Sequence, residues 1–186
     1  MRTALAFALL SLVCLSTASA QITNGSFDFG LTGWSSSVSG TCQISAVTYG
    51  NPFNSAWISA QNTPPDPPEG AGTMTQQFEC GTSSDPGVCV ISVDYILFSN
   101  ENPTIAIEVV IDATVHLFEY SAPTNGWVTF TTQVPCGSHG IAIAASFQNG
   151  SASSHWSMHF DNVTASCQGV IKTSPSTWGR IKALYF

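Results

Sequence analysis

The segment CVISVDYILF, residues 89 to 98, alternates between two sets of side chains along its whole length. One set is Cys89, Ile91, Val93, Tyr95 and Leu97, and the other is Val90, Ser92, Asp94, Ile96 and Phe98. Because successive side chains of a β-strand point to opposite faces of a sheet, this period of two predicts a strand. The first set contains no charged side chain, so we expect it to face the core.

The runs on either side of this segment have the same character. TIAIEVVID, residues 104 to 112, places Ile and Val side chains on one face, and similar runs are SAWISAQ, GTMTQQFEC, ATVHLFEY, GWVTFTTQV, IAIAASF and HWSMHFDNVTA. Clusters of turn-forming residues such as NPFN, NTPPDPPEGAG and APTNG separate these runs. No segment has the 3.6-residue period of a long amphipathic helix. The pattern predicts an all-β protein with one antiparallel β-sandwich or jelly roll.

Charge is distributed unevenly along the chain. The basic residues are Arg2, Lys172, Arg180 and Lys182. All eleven acidic residues lie between Asp28 and Asp161. A surface without cations cannot neutralise phosphate or sulfate, which argues against nucleic acid, anionic lipid and sulfated glycans as partners. Neutral ligands or a divalent cation fit better, because a cation would reduce the repulsion among carboxylates; a simple low-charge secreted surface is the alternative.

The two ends of the chain differ from its middle. Residues 1–20 combine an early arginine, an apolar run and an Ala-Ser-Ala end, which is the arrangement of a cleaved secretory signal. The apolar run is too short for a transmembrane helix, so we expect a secreted or cell-surface protein that begins at Gln21. Residues 168–186 carry the remaining cations, and we expect a tail there. It is either a sorting or processing segment or packs Trp178 and Tyr185 on the sandwich.

Five of the six cysteines follow the predicted signal, and export favours disulfides. Their spacings contain no C-x-x-C pair of the kind that binds zinc. The pairing that we predict is Cys80 with Cys89, because these residues bracket the turn GTSSDPGV between two strand-like runs. The partners of Cys42, Cys136 and Cys167 stay open.

The segment NGSFDFGLTGW, residues 24 to 34, resembles the start of carbohydrate-binding modules of families 4 and 9, which often begin with Asn-Gly, Phe-Glu and Gly-Leu-Gly-Trp. Four further segments resemble later strands of those modules in the same order: GTMTQQF, DPGVCVISVDY, NGWVTFTTQV and HFDNVTA. Together the five segments span roughly residues 22 to 167. The resemblance implies a galactose-binding-like jelly roll for residues 21–167.

The resemblance also implies a structural calcium ion near the first and last strands. Asp28 stands where the family has its Glu ligand, Asp161 stands at the first Asp of the closing strand, and Ser26 offers a backbone carbonyl. Calcium accepts such oxygen ligands from separate strands. The alternative is that Asp28 and Asp161 cap turns through hydrogen bonds to the backbone.

Neutral sugars are bound by aromatic rings that stack on C–H surfaces and by polar groups that hydrogen-bond the sugar oxygens. Strand parity gives the ligand-binding candidates on faces opposite the core: Trp57, Asp94, Phe98, Glu108 and Tyr120. We assign Trp127 and Trp156 to the core by the same parity. Phe27, Leu31 and Trp34 are also expected there, because large apolar side chains beside an edge turn usually close a sandwich.

These observations favour binding over catalysis. His155 and His159 are four residues apart on a strand, roughly 13 Å, which is too far to share one metal. Neither a nucleophile-elbow motif nor a glycine-rich phosphate loop is present. Asp94 and Glu108 would serve glycoside hydrolysis only at a suitable separation. We expect a secreted, non-catalytic module that binds a neutral oligo- or polysaccharide; the alternative is a structural or adhesive surface protein with a protein partner.

Overall fold

The computed structural model of the protein describes residues 21–60, 70–81, 87–99, 104–121, 123–148 and 156–168. These residues form ten β-strands. The strands are β1 Ser35–Gly40, β2 Cys42–Val47, β3 Ser55–Ala60, β4 Gly70–Cys80, β5 Val88–Ser99, β6 Thr104–Ile111, β7 Thr114–Ser121, β8 Val128–Pro135, β9 Gly137–Gln148 and β10 Trp156–Gln168. Within these ranges no helix has the length and apolar character needed to cross a membrane. The predicted signal at 1–20 and the tail after Gln168 lie outside the described residues.

The strands form two antiparallel sheets of five strands each. Sheet I has the order β1-β4-β9-β6-β7, and sheet II has the order β2-β3-β10-β5-β8. Consecutive strands often cross from one sheet to the other, as β3, β4 and β5 do, so the chain closes both sheets around one interior. The predicted all-β, antiparallel sandwich is confirmed.

The apolar face of each sheet points into the space between them. All five predicted inward side chains of β5 are buried, and the Ile and Val side chains at 105, 107, 109 and 111 of β6 are buried with them. Phe27 and Trp34 also belong to this core, and Leu31 packs against it while partly buried. Trp156 is buried as predicted, and it packs against Phe147 of β9.

The predicted disulfide between Cys80 and Cys89 is present. It joins the end of β4 in sheet I to the start of β5 in sheet II. The bond therefore connects the two sheets directly at one end of the sandwich. Cys42, at the start of β2, is a buried free thiol.

The opening segment 24–34 is a tight turn that packs against the closing strand. Asn24 and Phe27 have positive φ angles, which let the backbone reverse within a few residues. The indole nitrogen of Trp34 donates to the carbonyl of Asn24, and the Trp34 ring packs on Phe27. The amide of Val163 donates to the carbonyl of Gly25 at 3.0 Å. This contact fastens the turn to β10.

Candidate functional site

The outer face of sheet II carries most of the polar and aromatic side chains that the sequence suggested for binding. In the sheet register Trp57 of β3 lies opposite His159 of β10, which lies opposite Ile96 of β5. The next row toward the loops pairs Asp161 with Asp94, and Asp94 with Thr129 of β8. Four neighbouring strands therefore contribute side chains to one surface.

The loop between β2 and β3 adds an aromatic ring to this surface. Tyr49 of that loop packs edge-on against Phe98 and His159, with ring centroids 5.6 and 5.1 Å away. Its ring is also nearly parallel to that of Trp127, at 20° and 6.3 Å between centroids. Tyr49 and Phe98 remain 46% and 40% exposed, and Trp127 is half-buried. We call Tyr49, Phe98, Trp127 and His159 the aromatic cluster.

His159 is the buried base of the aromatic cluster, with only 7% of its surface exposed. Its Nδ1 atom lies 3.0 Å from the Ser55 hydroxyl, which itself donates to the carbonyl of Tyr49. Because a hydroxyl has one proton, Ser55 accepts from His159, and the ring carries its proton on Nδ1. Burial lowers the pKa of His159 to about 4. The ring is therefore neutral at physiological pH.

A network of carboxylates and amides borders the aromatic cluster. Thr129 donates to Asp94 Oδ1 at 2.6 Å, and the side-chain amide of Asn162 donates to Asp94 Oδ2 at 3.0 Å. Backbone amides of Asn51 and Asn162 donate to the two oxygens of Asp161 at 2.6 and 2.7 Å. The carboxylates of Asp94 and Asp161 thus accept hydrogen bonds from the β2–β3 loop, from β8 and from β10, and link these elements together.

Asp161 is the most buried of these carboxylates, at 1% exposure. Burial raises the pKa of Asp161, and the nearby carboxylates of Asp94 and Asp28 raise it further, against the effect of its two backbone hydrogen bonds. No Lys or Arg occurs between residues 21 and 167 to offset this repulsion. The local charge balance therefore fits a bound cation.

The predicted calcium ligands lie on both sides of the β2–β3 loop. Asp28 accepts hydrogen bonds from Asn54 of that loop and from the Ser26 hydroxyl, at 2.8 and 2.7 Å, and these bonds lower the pKa of Asp28. Asp161 accepts from Asn51 of the same loop. Among the residues described, no three His, Cys, Asp or Glu side chains form a metal-ligating group. A cation here would need backbone carbonyl ligands, as the sequence suggested for Ser26.

The sequence-predicted ligand residues separate into two groups. Trp57, Asp94 and Phe98 lie together on the outer face of sheet II. Glu108, on β6, is half-buried on the outer face of sheet I, opposite to its buried neighbours at 107 and 109. Tyr120 is also a sheet I residue, paired with position 106, and its side chain lies outside the described part. Glu108 therefore takes no part in the sheet II site.

This separation bears on the candidate catalytic pair. Asp94 and Glu108 lie on the outer faces of different sheets, and packed sheets are about 10 Å apart. Glycosidase carboxylates flank one bond at roughly 5 to 9.5 Å, so these two side chains do not form such a pair.

The assignment of Trp127 to the core is wrong. Trp127 precedes β8 rather than continuing its alternation, and its half-buried ring lies against Tyr49 on the outer surface. The sequence did offer a signal for His159, since inward positions at 156, 158 and 160 leave 159 outward. It gave no signal for Tyr49, whose position depends on how the β2–β3 loop folds back over the sheet.

Neither a protein-family model nor a curated protein matches the chain. Among solved structures, it is similar to the module TmCBM61 in complex with β-1,4-galactotriose, with 14% identity over 81% of this chain and 100% of that one and a TM-score of 0.54. The fold is that of carbohydrate-binding modules. The K3 cleaved adhesin domain of Lys-gingipain from Porphyromonas gingivalis w83 is 13% identical over 79% and 98% of the two chains, with a TM-score of 0.54.

A third solved structure is a family 4 carbohydrate-binding module, with 19% identity over 80% of this chain and 100% of that one and a TM-score of 0.47. The two likenesses with a TM-score of 0.54, at 14% and 13% identity, establish the fold alone. The resemblance that the sequence motifs indicated is confirmed at that level.

Proposed function

We propose that this protein is a secreted, non-catalytic module that binds a neutral glycan on the outer face of sheet II. The observation that carries the proposal is the aromatic cluster, in which Tyr49 and Phe98 keep 46% and 40% of their surfaces exposed. Aromatic rings offer flat apolar faces to the C–H surfaces of a pyranose. Trp57, half-buried next to His159, extends the aromatic surface along the sheet.

Polar groups beside the rings supply hydrogen bonds for sugar hydroxyls. Asp94 and the amide side chains of Asn51 and Asn162 meet within one hydrogen-bonded group at the edge of the cluster. Carboxylates accept hydrogen bonds and amides both donate and accept, which is the combination that vicinal hydroxyls require. Their mutual bonds fix their orientation before a ligand arrives, so little entropy is lost on binding.

The charge of the site favours a neutral glycan over an acidic one. Asp94 and Asp161 are acidic, and residues 21–167 contain no Lys or Arg. His159 is neutral because its pKa is lowered to about 4. A uronate or sulfate would meet no Lys or Arg side chain here that could pair with its negative charge. The proposal of secretion is supported by the predicted signal and by the Cys80–Cys89 disulfide, which is typical of exported proteins.

We also propose that Asp28 and Asp161 hold a structural Ca²⁺ together with the backbone carbonyl of Ser26. The support is electrostatic: burial raises the pKa of Asp161, and the neighbouring carboxylates of Asp94 and Asp28 raise it further, in a region where the sequence provides no Lys or Arg. The ion would neutralise these carboxylates and hold the β2–β3 loop in place. Tyr49, in that loop, would then depend on the ion for its position.

The test is a glycan array with the secreted protein in calcium, repeated with a chelator. Saturable binding to neutral glycans, inhibited by the free oligosaccharide, is the expected result. A blank array from protein whose melting transition is intact would overturn glycan binding and favour an adhesive role with a protein partner. Chelator that abolishes binding without lowering the melting temperature would contradict the structural role of calcium.

A further inference from the structure

Two cysteines beyond the Cys80–Cys89 bond lie next to each other at the same end of the sandwich. The sulfur atoms of Cys136 and Cys167 are 3.1 Å apart. A disulfide bond is about 2.05 Å long, so a shift of about 1 Å joins them. We propose that Cys136 and Cys167 form a second disulfide in the secreted protein, independently of whether it binds glycans.

The surroundings of the pair leave room for both sulfur atoms. Gly81 follows Cys80 with a φ of +71°, and a Cβ at this position would lie 2.8 Å from the sulfur of Cys167 and 3.4 Å from that of Cys136. Glycine both permits this backbone conformation and avoids the collision. The amide of Cys136 donates to the carbonyl of Gly87, which fixes its backbone against the start of β5.

The sheet register decides which cysteines can pair. Cys167 of β10 lies opposite Cys89 of β5, whereas Cys42 of β2 lies opposite Ala60, which pairs with Trp156 at the other end of β10. The eleven residues from Trp156 to Cys167 span roughly 35 Å of strand. Cys42 is therefore out of reach of Cys136 and Cys167. Since Cys80 and Cys89 are already bonded to each other, Cys136 and Cys167 pair together.

The bond forms by oxidation of two thiols, which together lose two electrons and two protons. The oxidant is a disulfide of the secretory compartment, either oxidised glutathione or a protein disulfide, which is reduced to two thiols. Cys167 is the more exposed of the pair, and Cys136 is buried. Cys167 therefore attacks the oxidant first to give a mixed disulfide, and Cys136 displaces the leaving thiol.

The second bond would tie the end of the closing strand to the turn between β8 and β9. Together with Cys80–Cys89 it would fasten β4, β5, β10 and this turn at one end of the sandwich. The nine residues from Cys89 to Phe98 place the cysteines roughly 30 Å along β5 from the aromatic cluster. Loss of the bond should therefore leave glycan binding unchanged, which separates this inference from the proposed function.

The experiment is disulfide mapping of the full chain exported to an oxidising compartment. The protein is acid-quenched, alkylated under denaturing conditions and digested with pepsin, because its central region has no trypsin sites and acid suppresses thiol exchange. Mass spectrometry without reduction should find a peptide pair joined through Cys136 and Cys167, lighter by two hydrogens than the free peptides. Cys42 should carry the alkyl group.

Two variants complete the test. In Cys136→Ser, Cys167 should become alkylated while Cys80–Cys89 persists. Cys42→Ser is the matched control and should leave the Cys136–Cys167 peptide pair unchanged. Alkylation of both Cys136 and Cys167 in the unaltered protein would overturn the inference, as would cross-links from either of them to Cys80 or Cys89.

Discussion

The rings of Tyr49 and Trp127 lie 20° from parallel with centroids 6.3 Å apart, although one belongs to the loop before β3 and the other to the segment before β8. Two connections from opposite edges of sheet II thus meet above its centre. Phe98 and His159 of the sheet itself support the Tyr49 ring from below. The surface is therefore a joint product of loops and sheet, and removing either ring should remove part of it.

Tyr49→Ala and Trp127→Ala should each weaken glycan binding. Loss of one stacking ring removes about 1–2 kcal/mol, or roughly five- to thirtyfold in affinity. Isothermal titration with the best neutral oligosaccharide from the array measures the change. Trp57→Ala should weaken binding in the same direction.

The control for these variants is Phe118→Ala. Phe118 is 54% exposed and lies opposite Glu108 on sheet I, away from the aromatic cluster. Its loss should leave the affinity unchanged. If Phe118→Ala weakened binding while Tyr49→Ala and Trp127→Ala had no effect, the site would belong on sheet I.

Acid should destabilise the protein through His159. Burial lowers the pKa of His159 from 6.5 to about 4, so the unfolded chain takes up a proton before the native state does. The contribution of this residue to stability is complete above about pH 6.5 and is lost as the pH falls toward 4. The resulting loss in the free energy of unfolding is about 1–3 kcal/mol after allowance for solvent screening. Urea unfolding at pH 7, 6 and 5 measures this loss.

His159→Asn isolates this effect. Asp161 works in the opposite direction, because its raised pKa makes the native state bind a proton before the unfolded chain does. The variant lacks the His159 contribution and keeps the opposite contribution of Asp161. It should therefore lose less stability between pH 7 and 5 than the unaltered protein does. Equal slopes for the variant and the unaltered protein would rule out His159 as the titrating group.

Strand parity predicted the sheets well because the signal is local. The five alternating residues of β5 that form the apolar set, from Cys89 to Leu97, are all buried. A shift of this strand by one residue would turn all five toward the other face of the sheet. The Cys80–Cys89 bond was also predictable, since both cysteines flank one short turn. Parity gives the face of a side chain, but it does not say which of two sheets a strand joins. That is why Glu108 was grouped with Asp94 although they lie on opposite sides of the sandwich.

The site was only half predictable for a different reason. Trp57, Asp94 and Phe98 belong to strands, whose periodicity fixes their direction. Tyr49 and Trp127 belong to connections, and their positions follow from tertiary contacts such as the hydrogen bond from Asn51 to Asp161. No local pattern encodes a contact between residues so far apart in the chain.

Calcium should stabilise the unaltered protein more than a variant that lacks one of its carboxylates. Adding Ca²⁺ should raise the melting temperature, because the proposed site would exist only in the native state. Asp28→Asn should reduce this rise, since an amide oxygen is a weaker ligand and carries no charge. Asp28 is exposed, so the variant should still fold. Glu79→Gln, exposed on sheet I, is the matched control. An equal rise for Asp28→Asn and Glu79→Gln would contradict the proposed ligand set.

The opening turn should be sensitive to a single methyl group at Gly25. A Cβ there would lie 1.9 Å from the carbonyl oxygen of Val163, where β10 leaves its register with β5, and backbone cannot move aside as a flexible side chain can. Gly25→Ala should therefore lower the free energy of unfolding by about 2–4 kcal/mol. At Gly126 an added Cβ would have no atom within 4 Å other than those of the glycine and its chain neighbours. Gly126→Ala should therefore change the free energy of unfolding by less than about 0.5 kcal/mol. Urea denaturation of both variants decides the matter, since equal stabilities would mean that the turn does not dock on the closing strand in solution.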